Sequence, residues 1–546
     1  MPLSTRMSSR TVRDRARAVF ELARAVFEPR RCAWLAFAAV TLLVVIHDAW
    51  ICDDAFISAR VVDNFMSLRG LRWNPPERVQ AYTHPLWLLL MILARSLQHD
   101  PYWSLLGLSV GTSALCICAI VWTNQRSAAF LALVAGTLAL SKSFVEFSSS
   151  GLENPLTHLL LVLSWREALR KQTPSIFKVS GLACLAALNR LDLLLLFMPA
   201  LLVLAKAQAG GWLQRSKPLL LTFAPLLAWH LFTLAYYGSL VPNTAIAKLG
   251  SSLPRTTLIE HGLAYLVQPT WNDPISLLLL LLGLPFGMLR GKGLVRAFCA
   301  GAGLYVGYVV WIGGDFMAGR FLSTPVLVAV LALVELLPIP HWSAQVAVAP
   351  VAVGLAWLPY TPVWSGPPPR IRLEVLDFTD TCLDGVCNER AFYGPYTGWR
   401  HPDITANPTH PWAVKGAAYA QTPGTTRIAG AIGFRGFFAG PEVFIIDYFG
   451  LSDPLIARLP EHPKYDLWKP GHARRCIPLG YPEATRLGPS ALADASLREY
   501  YSLIWLVTRA DLWSLERWRA IWKLNTSESR FRGTYTCRET PERKHD

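Results

Sequence analysis

Charge is scarce in this chain. Only 16% of its 546 residues are charged and 52% are hydrophobic, and the mean hydropathy is +0.31. This composition excludes an ordinary soluble enzyme and predicts several membrane-spanning helices. The net charge of +15 does not indicate a nucleic-acid partner. The basic residues are dispersed between apolar runs, as they are in the cytoplasmic loops of membrane proteins.

Several familiar motifs are also missing. The chain has no Walker loop, no Rossmann glycine pattern and no H-E-x-x-H zinc motif, so a soluble nucleotide cofactor is not indicated. No small-residue cleavage site follows the apolar run 33–46, since the chain continues with His47 and Asp48. We therefore expect an uncleaved first membrane helix, with the Arg-rich N-terminus, residues 1–32, in the cytoplasm.

The later apolar runs predict the rest of a transmembrane domain, residues 33–360. Eleven spans result when the segment 85–97 is treated as an amphipathic helix in the membrane interface and is not counted. The basic connections then all become cytoplasmic, which satisfies the positive-inside rule. These connections are the one containing Arg126 and the segments 166–171, 206–217 and 290–296.

From about Gly366 the composition changes and no further spanning run occurs. We predict that residues 361–546 form a mixed α/β domain on the outer side of the membrane. The segments 442–448 and 502–508 are predicted strands, and 496–501 and 511–523 are predicted helices.

Cysteine usage agrees with an oxidising compartment. Cys382, Cys387, Cys476 and Cys537 all lie in the polar C-terminal part, and an even number there predicts one or two disulfides, with Cys382 and Cys387 as our candidate pair. A zinc site is the alternative, but the C-x4-C spacing lacks a matching second pair.

An acidic pair opens the first outer loop, residues 53–102. Asp53 and Asp54 stand at the expected membrane boundary, where carboxylates are costly unless water, a cation or a ligand compensates them. On a helix their side chains diverge by about 100°. One can therefore act on an acceptor or a sugar while the other binds a cation or orients a basic residue.

The predicted alternation places further polar clusters on the same outer side, around Glu153, Asn189–Asp192, Asn243 and Asp315. Each has a simple structural explanation, such as a helix cap, a turn or an interfacial anchor, but their convergence on one face favours a site. The candidate phosphate-binding cations are Lys248, Arg60, Arg72 and Arg320. The candidate sugar or acceptor contacts are His84, Tyr82, Glu153, Asn243 and Asp315; for Tyr82 an aromatic interface belt is an equal alternative.

The strings DDAFISARVVDNF, GLRWN and ERVQAYTHPLW, followed by GLENPL, PNTAIAK, GGDFMAGRF, DYFGLSDPLIARLP and PGHARR, resemble the terminal arabinofuranosyltransferases of mycobacterial and corynebacterial cell walls. These are GT-C membrane glycosyltransferases that use decaprenylphosphoryl arabinose. The resemblance spans roughly residues 45 to 480. It implies that Asp53 and Asp54 are the essential acidic pair of an outer active site under a periplasmic C-terminal domain. The usual Arg-Pro-Asp of such enzymes is replaced here by Asn189–Asp192.

We therefore expect a polytopic α-helical GT-C enzyme of the bacterial inner membrane. It would move a pentofuranose, expected to be arabinofuranose, from a polyprenyl-phosphate-linked sugar donor to an extracytoplasmic glycan or glycolipid acceptor. A divalent cation, Mg²⁺ or Mn²⁺, is a candidate cofactor, with Asp53 and Asp54 as its ligands. The alternatives are a GT-C transferase for a lipid-linked hexose or aminosugar, and a lipid-linked sugar transporter. The sequence shows no inverted repeat of the kind found in many transporters, which argues against the transporter alternative.

Overall fold

The computed structural model describes most of the chain and shows a mainly helical protein. The described residues are 29–123, 136–170, 174–248, 253–268, 273–337, 381–400, 403–404, 408–461 and 471–538. The apolar run 344–358, one of the runs that predict membrane spans, lies outside them, as do residues 128–135 of the apolar run 128–140.

The N-terminal two thirds form a helical bundle. Acidic residues at the start of α2 and prolines in the first turns of α3 and α6 are typical helix openings. The helices are α1 (Pro29–His47), α2 (Asp53–Met66), α3 (Pro85–Leu97), α4 (Pro101–Thr123), α5 (Lys142–Glu146), α6 (Asn154–Ala168), α7 (Ile176–Asn189), α8 (Leu194–Ala207), α9 (Trp212–Thr222), α10 (Ala224–Tyr237), α11 (Asn243–Lys248), α12 (Arg255–Val267), α13 (Pro274–Leu278), α14 (Leu284–Arg290), α15 (Gly293–Trp311) and α16 (Ser323–Leu336), with a 3₁₀ turn at Leu191–Leu193 and a π-helical turn at Leu279–Gly283.

Two of the described helices are long and apolar enough to cross a membrane, within Pro101–Val121 and Gly293–Trp311. A third candidate is the pair α9 and α10, which is bent by 57°. Other apolar helices of the described part, including α3, are shorter. The membrane character is thus clear, and the total of eleven spans stays a prediction.

The C-terminal part is mixed, with small sheets among helices. The elements are β1 (Cys382–Leu383), β2 (Val386–Cys387), α17 (Glu389–Thr397), α18 (Pro411–Ala420), β3 (Thr426–Ala429), α19 (Ile432–Ala439), β4 (Phe444–Asp447), α20 (Tyr481–Leu487), α21 (Ala495–Arg509) and α22 (Leu515–Asn525), with 3₁₀ turns at Ile456–Arg458 and Pro489–Ala491.

Strands β1 and β2 form an antiparallel hairpin, and β3 pairs with β4 in parallel, from Thr426 opposite Phe444 to Ala429 opposite Asp447. The strand predicted at 442–448 is confirmed by β4. The strand predicted at 502–508 is wrong, because those residues continue α21. One face of that helix is buried among the C-terminal helices, so tertiary packing overrides the local strand preference.

A single hydrophobic core joins the bundle to the first part of the C-terminal region, residues 386–451. Phe56 of α2 lies edge-on to Phe434 and Phe437 of α19, with ring centroids 4.9 and 5.1 Å apart. Trp50, just before α2, stacks on Tyr393 of α17 at 6.2 Å. The end of the bundle that carries the acidic pair is therefore covered by the C-terminal region.

Candidate active site

A cavity of about 580 Å³ lies where the bundle meets the C-terminal region. The start of α2, the loops before α3 and α6, helix α11 and the loop after α15 all contribute to its wall. Seven of the sequence-predicted residues line it: Asp54, Tyr82, His84, Glu153, Lys248, Asp315 and Arg320.

The two adjacent aspartates point to different partners. Asp54 faces the cavity. Asp53 is buried and does not line it, because its carboxylate accepts hydrogen bonds from the backbone N–H groups of Gly433, at 2.9 Å, and Phe434, at 2.7 Å. Both donors belong to the first turn of α19, where free N–H groups favour a negative charge. The divergence expected of neighbouring helical residues thus separates a cavity carboxylate from an anchoring one.

Burial and neighbouring charges set the electrostatics of the pair. Burial raises the pKa of Asp54, Arg320 and Lys248 oppose this rise, and Asp315 and Glu153 add to it. Burial also raises the pKa of Asp53 to about 7, despite the hydrogen bond from Phe434 that lowers it. Asp54 is therefore a carboxylate with a strengthened affinity for a proton, held beside two cations.

Glu153 is the centre of an ion-pair cluster on the cavity wall. Its carboxylate lies 3.0 Å from Arg320, 3.3 Å from Arg190 and 3.5 Å from His84. Burial disfavours its charge, but Arg320, His84 and Arg190 outweigh burial and hold the pKa of Glu153 at about 2. Glu153 therefore remains ionised and orients the two guanidinium groups at the cavity.

His84 sits beside this cluster as a neutral imidazole. Its Nε2 atom lies 2.9 Å from the Ser58 hydroxyl. Burial lowers its pKa to about 4, against the opposing charge of Glu153. The neighbouring Tyr82 also lines the cavity, and its hydroxyl lies 2.9 Å from that of Tyr237. This edge of the cavity offers neutral hydrogen-bonding and aromatic groups.

Lys248 and Arg320 approach the cavity from different elements. Lys248 ends α11 and is exposed. A Cβ atom at Gly471, which has a positive φ of 78°, would lie 2.9 Å from Lys248 Nζ, so glycine leaves room for the ammonium group. Arg320 pairs with Glu153 and lies 3.8 Å from Asp315. Together they place positive charge beside Asp54.

Besides Asp53, three further sequence-predicted residues do not reach the cavity wall. The buried Arg60 stacks on Trp73 and donates to the carbonyls of Trp73, Gly436 and Val443. Arg72 donates to the Tyr236 hydroxyl and the Pro75 carbonyl. Asn243 donates to the carbonyls of Gly450, Leu451 and Asp453. The structure gives these side chains structural contacts, with backbone carbonyls and, for Arg72, also with the Tyr236 hydroxyl, and their ligand contacts stay predictions.

Some cavity residues were not among the sequence candidates. Arg190 lines the wall and pairs with Asp192 at 2.6 Å. The polar cluster Asn189–Asp192, which contains Arg190, is the signal that the sequence offers for this residue. Arg255 and Arg475 also line the cavity, together with an apolar set that includes Leu226, Trp229, Leu240, Leu258 and Trp311.

The residues present do not fit a resident divalent cation. Both oxygens of Asp53 already accept backbone N–H groups, and Asp54 lies beside the positive charges of Arg320 and Lys248. In the part of the chain that the structure describes, no group of three or more His, Cys, Asp or Glu side chains could hold a metal ion.

Cysteine pairs are present in the C-terminal region. Cys382 is joined to Cys387 across the β1–β2 hairpin, and Cys476 is joined to Cys537 over a separation of 61 residues. These two disulfides use the four cysteines that the sequence singled out.

Comparison with known proteins identifies two relatives. A Mycobacterium tuberculosis protein named terminal beta-(1->2)-arabinofuranosyltransferase is 28% identical over 444 residues, which cover 68% of this chain and 67% of that protein. A Corynebacterium glutamicum protein of the same name is 28% identical over 338 residues, 53% of this chain and 48% of that protein. This chain thus spans about two thirds of one relative and about half of the other. Neither a protein-family model nor a solved structure matches. The relatives confirm the predicted resemblance and the predicted enzyme class, a glycosyltransferase.

Proposed function

We propose that this protein is a membrane glycosyltransferase that moves arabinofuranose from a polyprenyl-phosphate donor to a cell-envelope glycan. The observation that carries the proposal is that Asp54, Lys248 and Arg320 open onto one cavity. The printed names of the two relatives supply the sugar. The donor lipid and the acceptor are our inference from the chemistry of the cavity and from the resemblance.

Asp54 is the proposed base. The acceptor hydroxyl oxygen forms a bond to C1 of the arabinofuranosyl group, while the bond between C1 and the phosphate oxygen breaks. The hydroxyl proton passes to the Asp54 carboxylate, and the polyprenyl phosphate leaves with the bonding electron pair. Burial raises the proton affinity of Asp54, which suits this transfer.

Lys248 and Arg320 are the proposed phosphate-binding groups. As the bond to C1 breaks, negative charge builds on the phosphate oxygens, and cations already in position stabilise it without reorganisation. Glu153 keeps Arg320 directed at the cavity through their 3.0 Å ion pair. Positioning by a fully ionised carboxylate is the role we assign to Glu153, rather than a direct contact with the sugar.

The apolar wall suits the lipid portion of the donor. Trp229, Leu240, Leu258 and Trp311 line the same cavity as the cations. A molecule that has a phosphate at the end of a hydrocarbon chain would place its two parts against these two surfaces. His84 and Tyr82, on the neutral edge, are the proposed contacts for the sugar or the acceptor.

We also propose a GT-C architecture of eleven spans with the cavity on the periplasmic side of the inner membrane. The distribution of basic connections supports this orientation. The disulfides of the C-terminal region support it as well, because such bonds persist in oxidising compartments.

The test uses purified protein in lipid nanodiscs with synthetic polyprenyl-phosphoryl arabinose and a short arabinan acceptor. We expect transfer by the wild type and a loss of at least about 100-fold in Asp54→Asn. Parallel donors carry a hexose or an aminosugar on the same lipid. Transfer from one of these alone would replace arabinose by that sugar. A donor that crosses the bilayer of proteoliposomes without being consumed would favour the transporter.

A further inference from the structure

The disulfide-linked hairpin β1–β2 is attached to the loop that carries two cavity residues. The backbone N–H of Cys387 donates to the carbonyl of Phe316 at 2.6 Å, and the N–H of Ala318 donates to the carbonyl of Cys387 at 3.0 Å. Phe316 and Ala318 lie between Asp315 and Arg320. Any displacement of the hairpin would therefore displace this loop.

The hairpin is followed directly by a buried carboxyl group, Glu389, that was not among the candidates from the sequence. Glu389 lies two residues after Cys387, in the first turn of α17, and is only 4% exposed. The side chain of Asn388 caps this helix by accepting from the N–H of Ala391. The position of Glu389 is thus fixed by a capped helix directly after a cross-linked hairpin.

Helix α17 is held against the chain just before the acidic pair. Arg390 donates to the Asp48 carbonyl at 3.1 Å and to its carboxylate at 2.8 Å. One turn later, Tyr393 stacks on Trp50, three residues before Asp53. Glu389 is therefore held between the start of α2 and the Asp315–Arg320 loop.

The surroundings of Glu389 favour its protonated form. Burial raises its pKa well above the ordinary value of 4.5, Asp54, Asp315 and Asp53 raise it further, and Arg320 opposes the rise. Cys52 and Tyr393 are its other titratable neighbours. Among the described residues, its Oε2 atom is buried with no hydrogen-bond partner. A neutral carboxylic acid avoids adding one more negative charge to this group of carboxylates.

We propose that Glu389 is a positioning residue of the transfer reaction, which holds a proton among the carboxylates so that Arg320 stays directed at the cavity and Asp54 remains the charged base. This role rests on the proposed function. When Glu389 loses its proton, its new charge competes for Arg320 and draws that guanidinium away from the cavity, so activity falls. The carboxyl of Glu389 thus sets the alkaline limit of activity.

The test compares the pH profiles of kcat/KM for the wild type, Glu389→Gln and a control, Glu483→Gln, whose glutamate is exposed in the same region. Glutamine reproduces the shape of the neutral acid and cannot ionise. We expect Glu389→Gln to retain activity within about threefold at neutral pH and to move the alkaline decline upward by at least about one pH unit. The control should follow the wild type.

Two results would overturn the proposal. Superimposable profiles would show that Glu389 does not influence the reaction. A loss of more than about 100-fold at every pH, in folded Glu389→Gln, would show that its proton is itself transferred.

A second readout does not need turnover. Infrared difference spectra between the wild type and Glu389→Gln at neutral pH should contain the carbonyl band of a protonated carboxylic acid. If the wild type transferred no arabinose and the band were present, the proposed function would fail and the protonation of Glu389 would stand. Absence of the band would remove the proton-holding role, whatever the activity.

Discussion

The carboxylate of Asp53 accepts a hydrogen bond from the backbone N–H of Gly433 at 2.9 Å, across a separation of 380 residues. A Cβ atom at Gly433 would overlap the backbone carbonyl of Asp53. The backbone segments at Asp53 and Gly433 therefore meet so closely that only glycine fits at position 433. One residue of the acidic pair joins α2 to α19, and the other is left to face the cavity.

Replacing Asp53 should mainly reduce stability, whereas replacing Asp54 should mainly reduce activity. In Asp53→Asn one acceptor becomes an amide donor facing N–H groups, so we expect a loss of about 1–3 kcal/mol of unfolding free energy. In Asp54→Asn we expect a thermal midpoint near that of the wild type and a loss of activity of at least about 100-fold. Thermal unfolding in detergent and initial transfer rates measure the two effects. Equal loss of activity with unchanged stability in both variants would contradict this division.

Gly433→Ala should weaken the junction of α2 and α19. The added methyl group must displace backbone rather than a flexible side chain, so we expect a cost of about 1–3 kcal/mol and a fall in activity. The matched control is Gly394→Ala in α17, where the new methyl group would lie 3.8 Å from Arg390. Thermal unfolding of the two variants should differ clearly. Similar midpoints would mean that the backbone at Gly433 can move freely.

Lys248 and Arg60, both predicted as phosphate-binding cations, should respond differently to replacement by glutamine. Lys248→Gln removes a charge from the cavity wall, and we expect a rise in KM for the lipid donor of about 10-fold or more with an unchanged thermal midpoint. Arg60→Gln leaves buried backbone carbonyls without donors, so we expect a stability loss on the order of 3 kcal/mol. The remaining folded Arg60→Gln protein should keep the KM of the wild type. A raised KM in Arg60→Gln alone would restore Arg60 as a ligand-binding residue.

The stability of the protein should fall in mild acid because of His84. Its pKa is lowered from 6.5 to about 4 in the folded chain, so between these values the unfolded chain binds one more proton. The contribution of neutral His84 is thus fully present above pH 6.5 and is lost as the pH falls toward 4, by up to about 1.4 kcal/mol per pH unit. His84→Gln should flatten this dependence in thermal unfolding at a series of pH values. An equally steep fall in the variant would assign the effect to other groups.

From the sequence, the residues that meet at the cavity could be predicted better than the role of each residue. The grouping of Asp54, Glu153, Lys248 and Asp315 on one side follows from the alternation of apolar runs and basic connections, and the structure brings them together. The difference between Asp53 and Asp54 could not be predicted, since the partners of Asp53 lie in α19, far along the chain.

Arg60 shows a second limit of the sequence. An arginine in a polar loop near an acidic pair indicates an anion-binding site. Here, however, Arg60 donates hydrogen bonds to the backbone carbonyls of Trp73 and Val443, which belong to two separate segments. Local sequence carries no signal for that role. The strand predicted at 502–508 failed for a similar reason, because the face that α21 buries depends on which helices pack against it.

The hydrogen bonds between α19 and Asp53 also have a consequence for biogenesis. Asp53 is translated early, whereas its partners in α19 are translated 380 residues later. Until then its carboxylate must be solvated by water or accept a proton. A nascent chain that stops before α19 would possess the bundle and Asp54 but would leave Asp53 unanchored. The acidic pair is therefore fully positioned only when α19 has docked against α2.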